Sequence, residues 1–112
     1  RQLWLAYAAK IHGRIVIDDG AVRAVGARNA SLLPAGVLRA EGVFRPGHAV
    51  EITNQEGLPI ARGLSGISSS RIPEVAGRSI AEIEERLEPD YAHEVVHRDE
   101  LVVMARHRRL SN

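Results

Sequence analysis

Cysteine is absent from the 112 residues, which excludes a disulfide framework, a thiolate metal site and a cysteine nucleophile. That absence fits a reducing compartment. Aromatic residues are nearly absent too: Trp4, Tyr7, Phe44 and Tyr91 make up 4% of the chain. The core must therefore be aliphatic, and few rings are left on which nucleobases could stack. The longest uninterrupted apolar run, Leu3 to Ala9, is too short to cross a membrane or serve as a signal peptide. No charge of one sign dominates. The net charge of +1 argues against a strong nucleic-acid field over the whole surface. Repeats, long linkers and glycine-rich phosphate loops are missing as well. The length suits one domain, residues 1–112, around one core. The chain begins at Arg1 without an initiator methionine, so it is expected to be a piece of a longer protein.

What is present is unevenly spread. Residues 1–73 hold nine basic and five acidic side chains, and residues 74–112 hold six and nine. A basic face on the first two-thirds is compatible with that division. Gly13 to Gly36 is the most organised stretch. Arg14 to Ile17 has the β-branched alternation of a half-buried strand. Asp18 or Asp19 can cap a helix that carries Val22 and Val25 on one face, with Gly26 as a left-handed exit. Ser31 to Gly36 then turns the chain. Before it, Leu3, Leu5 and Tyr7 alternate as an opening strand, and Lys10 to Gly13 reads as a turn.

The remainder reads mainly as β-structure. Val37 to Phe44 is apolar but broken by Arg39, Glu41 and Gly42, the last suggesting a bulge or a close backbone approach. Arg45-Pro46-Gly47 is a turn, Val50 and Ile52 share one face of a strand, and Asn54 to Gly57 closes a hairpin onto Ile60–Leu64. Pro59 belongs at that strand's start or edge. Ser68 to Ser70 starts a helix with Ile72 and Val75 inward, Pro73 in its first turn and Gly77 at its end. Ser79 and Glu82 form a capping box for a helix with Ile80, Ile83 and Leu87 buried, Glu82 paired to Arg86, and Pro89 as its stop. Val95-Val96 and Leu101–Met104 close the chain with strands, before a solvated Arg106–Arg109 tail.

Several constellations imitate active sites. His93-Glu94-Val95-Val96-His97 matches the zinc-protease pattern letter for letter. In a strand, which the valines favour, the two histidines stand about 13 Å apart and cannot share one ion. Glu100 and Val103 also occupy positions where the extended motif needs glycine and histidine. His97-Arg98-Asp99 imitates a kinase catalytic loop, but Met104 replaces the metal-binding asparagine. Arg98 and Asp99 read instead as a strand-to-loop tie through charge-assisted hydrogen bonds. Asp18-Asp19 reads as a cap rather than a metal pair, and Ser68–Ser70 lacks a nucleophile elbow. Arg23, Arg28 and Arg39 have two readings: a phosphate-contacting patch, or scattered solubilising charges.

Read in order, Gly13–Ala21, Ser31–Gly36, Glu41–Gly47, Ile60–Leu64 and Val95–Leu101 resemble the carboxy-terminal PUA domain of bacterial glutamate 5-kinases (γ-glutamyl kinases). The likeness covers nearly the whole chain. Ile67, where the family often has an aromatic, Pro73, and Glu88-Pro89 in place of a glycine-containing turn depart from it. The resemblance implies a mainly β fold with short helices, a mixed β pseudo-barrel. It implies a non-catalytic accessory domain following an amino-acid-kinase domain, which would be its partner together with other subunits of the parent. The parent, with ATP and magnesium, would phosphorylate L-glutamate to glutamyl 5-phosphate in the first step of proline biosynthesis, in the cytoplasm. No cofactor, metal ligand, membrane contact or catalytic residue is carried onto this chain. PUA domains elsewhere bind RNA through the first helix and adjoining strand, which here implicates Arg23, Arg28, Gly36 and Arg39.

Overall fold

In the computed structural model, which describes residues 9–28 and 30–104, the chain is organised by strand β1, Ile11–Ile17. Its last three residues, Ile15, Val16 and Ile17, are all buried. A strand covered on both faces needs no polar alternation, so the half-buried strand read from the sequence is a fully buried one. Lys10 to Gly13 is mostly strand rather than turn. Pairing of Ile11 with Ala49, and of Gly13 with both Gly42 and Val50, holds this segment extended despite the glycine. Gly13 is needed because a Cβ there would stand 2.6 Å from the Glu41 carbonyl oxygen and from the Phe44 ring.

Helix α1, Asp19–Arg28, follows, then β2, Val37–Gly42, and β3, Ala49–Thr53. A hairpin leads to β4, Pro59–Leu64. Short helices α2, Ile72–Val75, and α3, Ile80–Arg86, precede β5, Leu101–Val103. Among the described residues these strands form one mixed sheet in the order β2-β1-β3-β4-β5. β1 and β3 are parallel and the other neighbours antiparallel. The mixed-β architecture with short helices is thus the one expected. Phe44, Ile52, Ile60, Ile72 and Ile83 are among the buried residues of its aliphatic core, which α1 closes with Val25.

The turn chemistry follows the residue types. Gly47 takes φ +93° after Pro46, and the amide of His48 donates to the Arg45 carbonyl at 3.0 Å. Asn54 Oδ1 accepts from the amides of Glu56 and Leu58, closing the β3–β4 hairpin. Pro59 opens β4 and Pro73 lies in the first turn of α2. Gly77 takes φ +79° and donates to the Pro34 carbonyl. Gly42 takes φ +88° where the backbone passes close to Gly13, since a Cβ there would lie 3.0 Å from Gly13 Cα.

Four further details differ from the sequence reading. α1 runs through Gly26 to Arg28, so that glycine is no exit. Burial of Val25, the residue before it, outweighs the modest helix cost of an interior glycine. No serine of Ser68–Ser70 caps a helix; the Ser69 hydroxyl instead accepts from the Phe44 amide at 3.0 Å and donates to its carbonyl at 3.3 Å. Ser79 does cap α3, accepting from the Glu82 amide at 3.1 Å, but the Glu82 carboxylate pairs with Arg78 at 2.6 Å and not with Arg86. Both arginines lie four residues from Glu82, and Arg78 is also anchored to the Glu74 carbonyl. Val95-Val96 makes one isolated bridge to Leu32 rather than a strand. The opening strand at Leu3–Tyr7 and the Arg106–Arg109 tail fall outside the described residues.

Thr53 is fully buried at the end of β3, and its Oγ1 has no hydrogen-bond partner among the described residues. An unsatisfied buried hydroxyl is a standing cost. Thr53→Val is therefore expected to raise the unfolding free energy by about 1 kcal/mol. Chemical denaturation reads this directly; a loss of similar size would mean that the hydroxyl has a partner after all.

Candidate functional site

Asp18 ties three elements together. Its Oδ1 accepts from the Ala21 amide at 2.8 Å, which caps α1. Its own amide donates to the Gly36 carbonyl at 2.9 Å, fixing the Pro34–Gly36 turn against the helix start. The approach is close: a Cβ on Gly36 would sit 2.5 Å from the Ala21 Cβ. Across the turn, Leu32 is held by backbone hydrogen bonds with Val95 and Val96, and the Arg98 amide donates to Ser31 Oγ at 2.8 Å.

Small residues on both sides leave a groove between α1 and residues 30–36. Its volume is about 290 Å³, and its lining is mostly apolar, with Ala21, Ala24, Leu32, Leu33 and Ala35 on its walls and Asp18 at one end. Leu33 is 46% exposed at the rim. Sequence reasoning picked out Gly36 here but not the alanines and leucines. Their one signal was the abundance of Gly and Ala in Asp19–Gly36, which permits a helix and a turn to lie close.

Arg23 and Arg28 are exposed on α1 and form no hydrogen bond or ion pair with any described residue. Five residues apart, they project about 140° from one another around the helix axis. Arg39 is differently placed. On β2 it pairs with Glu41 at 3.1 Å, and Glu41 also accepts from Arg14 at 3.3 Å. A phosphate at Arg39 would compete with that carboxylate. The structure therefore joins Gly36 to α1, while Arg39 belongs to a charged cluster with Arg14 and Glu41. Phe44 is buried, and Tyr91 lies beneath the Arg71 guanidinium, 5.4 Å from its ring centre. The hydrogen bond that Arg71 donates to the Glu74 carboxylate, then the neighbouring Tyr91, raise the Arg71 pKa above its ordinary value.

The imitation motifs do not assemble. His93 Nδ1 is bonded to the Glu94 carbonyl at 2.7 Å, and His97 Nδ1 accepts the Asp99 amide at 3.0 Å. Among the described residues no group of three or more His, Asp or Glu is placed to hold a metal ion. The tie near Arg98 exists, but a backbone amide and the Ser31 hydroxyl make it, not the charged side chains. Asp18 is a cap and Asp19 the first residue of α1.

The PUA domain model matches residues 13–87, from β1 to the end of α3. The chain belongs to the PUA domain family. Relatives of this PUA domain include the glutamate 5-kinase of Streptomyces avermitilis, 48% identical over 104 residues, and that of Thermobifida fusca, 46% identical. Each alignment covers 93% of this chain but only 28% and 27% of the respective kinase. The fold is similar to that of a solved PUA domain from Aeropyrum pernix K1, in a tartrate complex, with a TM-score of 0.58 and 24% identity over 77% of this chain and 41% of that one. It is also similar to a chain of the archaeal box H/ACA sRNP Nop10–Cbf5 complex, with a TM-score of 0.54 and 21% identity over 82% of this chain and 23% of that one.

Proposed function

We propose that this PUA domain is the non-catalytic accessory domain of a glutamate 5-kinase. The observation that carries the reading is the match of 42–48% identity over 93% of this chain to proteins named glutamate 5-kinase, of which the chain spans about a quarter. The remaining three-quarters would hold the kinase site. The longer protein would transfer the γ-phosphate of ATP, with magnesium, to the side-chain carboxylate of L-glutamate, in the first step of proline biosynthesis. No position of this chain is assigned to ATP or magnesium. Its partners would be its own kinase domain and other subunits of the parent, in the cytoplasm. No helix of the described residues is long and apolar enough to cross a membrane. The 112-residue chain should show no ATP-dependent phosphorylation of glutamate; turnover by it would end this reading.

A second reading, contact with structured RNA, is favoured by the two exposed arginines on α1, which pair with no described residue. A fold neighbour in an archaeal sRNP supports it. Arg23→Ala with Arg28→Ala should then weaken RNA binding and reduce the salt slope, −d log K/d log[salt], by roughly 1.5, two phosphate contacts' worth. Titration of a structured RNA at several salt concentrations measures this. No binding at low salt, or binding unchanged in the double variant, rules out contact at this surface.

A further inference from the structure

Two histidines far apart in sequence are stacked where the inner strands β1 and β3 begin. The rings of His12 and His48 lie with centroids 3.9 Å apart and planes 10° from parallel. The sheet register brings them together. Ile11 pairs with Ala49 and Gly13 with Val50, so His12 is the extra residue of a β-bulge beside the start of β3. Neither ring takes part in the function proposed above.

Their backbone partners fix the tautomers. The Arg45 amide can only donate, so His48 Nδ1, 3.0 Å away, must carry a lone pair. The Lys10 carbonyl can only accept, so His12 Nδ1, 3.1 Å away, must carry the proton. His48 also closes the Arg45–His48 turn through its own amide, and the turn is sewn to the neighbouring chain by the Gly47 amide on Ser65 and the Ser65 amide on His48. Its first residue follows Phe44, the largest fully buried side chain, and Val43, which is 83% exposed.

We propose that the His12–His48 stack is an acid-sensitive latch on the Arg45–His48 turn. With both rings neutral, His48 Nδ1 accepts the Arg45 amide and the rings lie in contact. A proton on His48 Nδ1 converts that acceptor into a donor facing another donor. With His12 protonated as well, two like charges stand at stacking distance. Both effects act in one direction: the latch is closed at the alkaline end and opens as pH falls through the range where imidazoles change charge.

The charged groups on the surrounding elements temper this without reversing it. Lys10, just before β1, precedes His12, and Arg14 on β1 follows it. His12 shares a shallow depression of about 310 Å³ with Arg14, Glu41 of β2 and Glu51 of β3. Glu41 is already engaged by Arg14 and Arg39. Glu51 stands opposite Arg62 of β4 in the sheet. Arg45, on the turn itself, adds a further positive charge, and Ser65, which is hydrogen-bonded to the turn, brings none.

The test is amide hydrogen exchange and NMR on the 112-residue chain from about pH 8 to about pH 5. The Arg45 protection factor is expected to fall roughly tenfold, in step with the imidazole signals of His48. In His48→Asn, whose Oδ1 can accept the same amide without titrating, protection should persist across the range. Arg45 protection that ignores pH in the wild-type chain, or that falls equally in His48→Asn, would overturn the proposal. Should the variant fail to fold, the wild-type titration decides alone: an Arg45 amide that does not move with His48 refutes the latch.

Discussion

Phe44→Ala is expected to lower the unfolding free energy by about 3–5 kcal/mol, the largest effect of any single truncation in this chain. Phe44 is the chain's one phenylalanine, and the ring is 1% exposed. The surrounding core is aliphatic and the sheet is hydrogen-bonded on the neighbouring strands, so the space left by the ring can collapse only in part. The backbone is pinned as well, by the Ser69 hydroxyl and by the Ser69 amide on the Phe44 carbonyl at 2.9 Å. Domains of this size are stable by about 5–15 kcal/mol, so the loss would consume a large fraction of the total. Urea denaturation of the variant measures it. A loss below about 1 kcal/mol would mean that the ring is not seated in the core as described.

Gly13→Ala is expected to cost about 2–3 kcal/mol through the opposite fault, an atom too many. Its Cβ would meet two groups at 2.6 Å: the Glu41 carbonyl oxygen of the paired strand and the Phe44 ring. The first is backbone and cannot swing aside, so either the β1–β2 pairing or the seat of Phe44 must give. Because one of the two obstacles is the ring itself, the costs of Gly13→Ala and Phe44→Ala should not add. The double variant is expected to lose less than their sum by about 1 kcal/mol, the portion due to ring contact. Strict additivity in a double-mutant cycle would place the whole cost on the strand pairing.

Strands, turns and caps were legible where one local rule decides. Pro46-Gly47, Asn54 and Pro59 each specify a backbone conformation or remove a donor, and each does so in the structure. Asp18 and Ser79 cap the helices they precede. Legibility failed where a distant partner decides. The parallel pairing of β1 with β3 is separated in sequence by a helix and a strand, and nothing in either strand names the other. Val95-Val96 has a strand's composition, yet its backbone finds only Leu32 to pair with. Gly26 looked like an exit until Val25 was seen buried beneath the helix.

The candidate site was legible in the same partial way. Gly36 stood out as a turn residue, but its close contact with Ala21 depends on how α1 is laid down. Arg23 and Arg28 were visible as exposed charge on an amphipathic helix. Arg39 was grouped with them on proximity in sequence, and pairing with Glu41 sets it apart. The stacked histidines left no trace in the sequence, because a bulge brings them together.

The most direct measurement compares ATP-dependent glutamate phosphorylation by the longer protein with and without these 112 residues, beside the 112 residues alone. An accessory PUA domain requires that turnover persist, with altered magnesium dependence or assembly at most, when the domain is removed, and that the isolated domain show none. Turnover that travels with the 112-residue chain and vanishes from the remainder would contradict it.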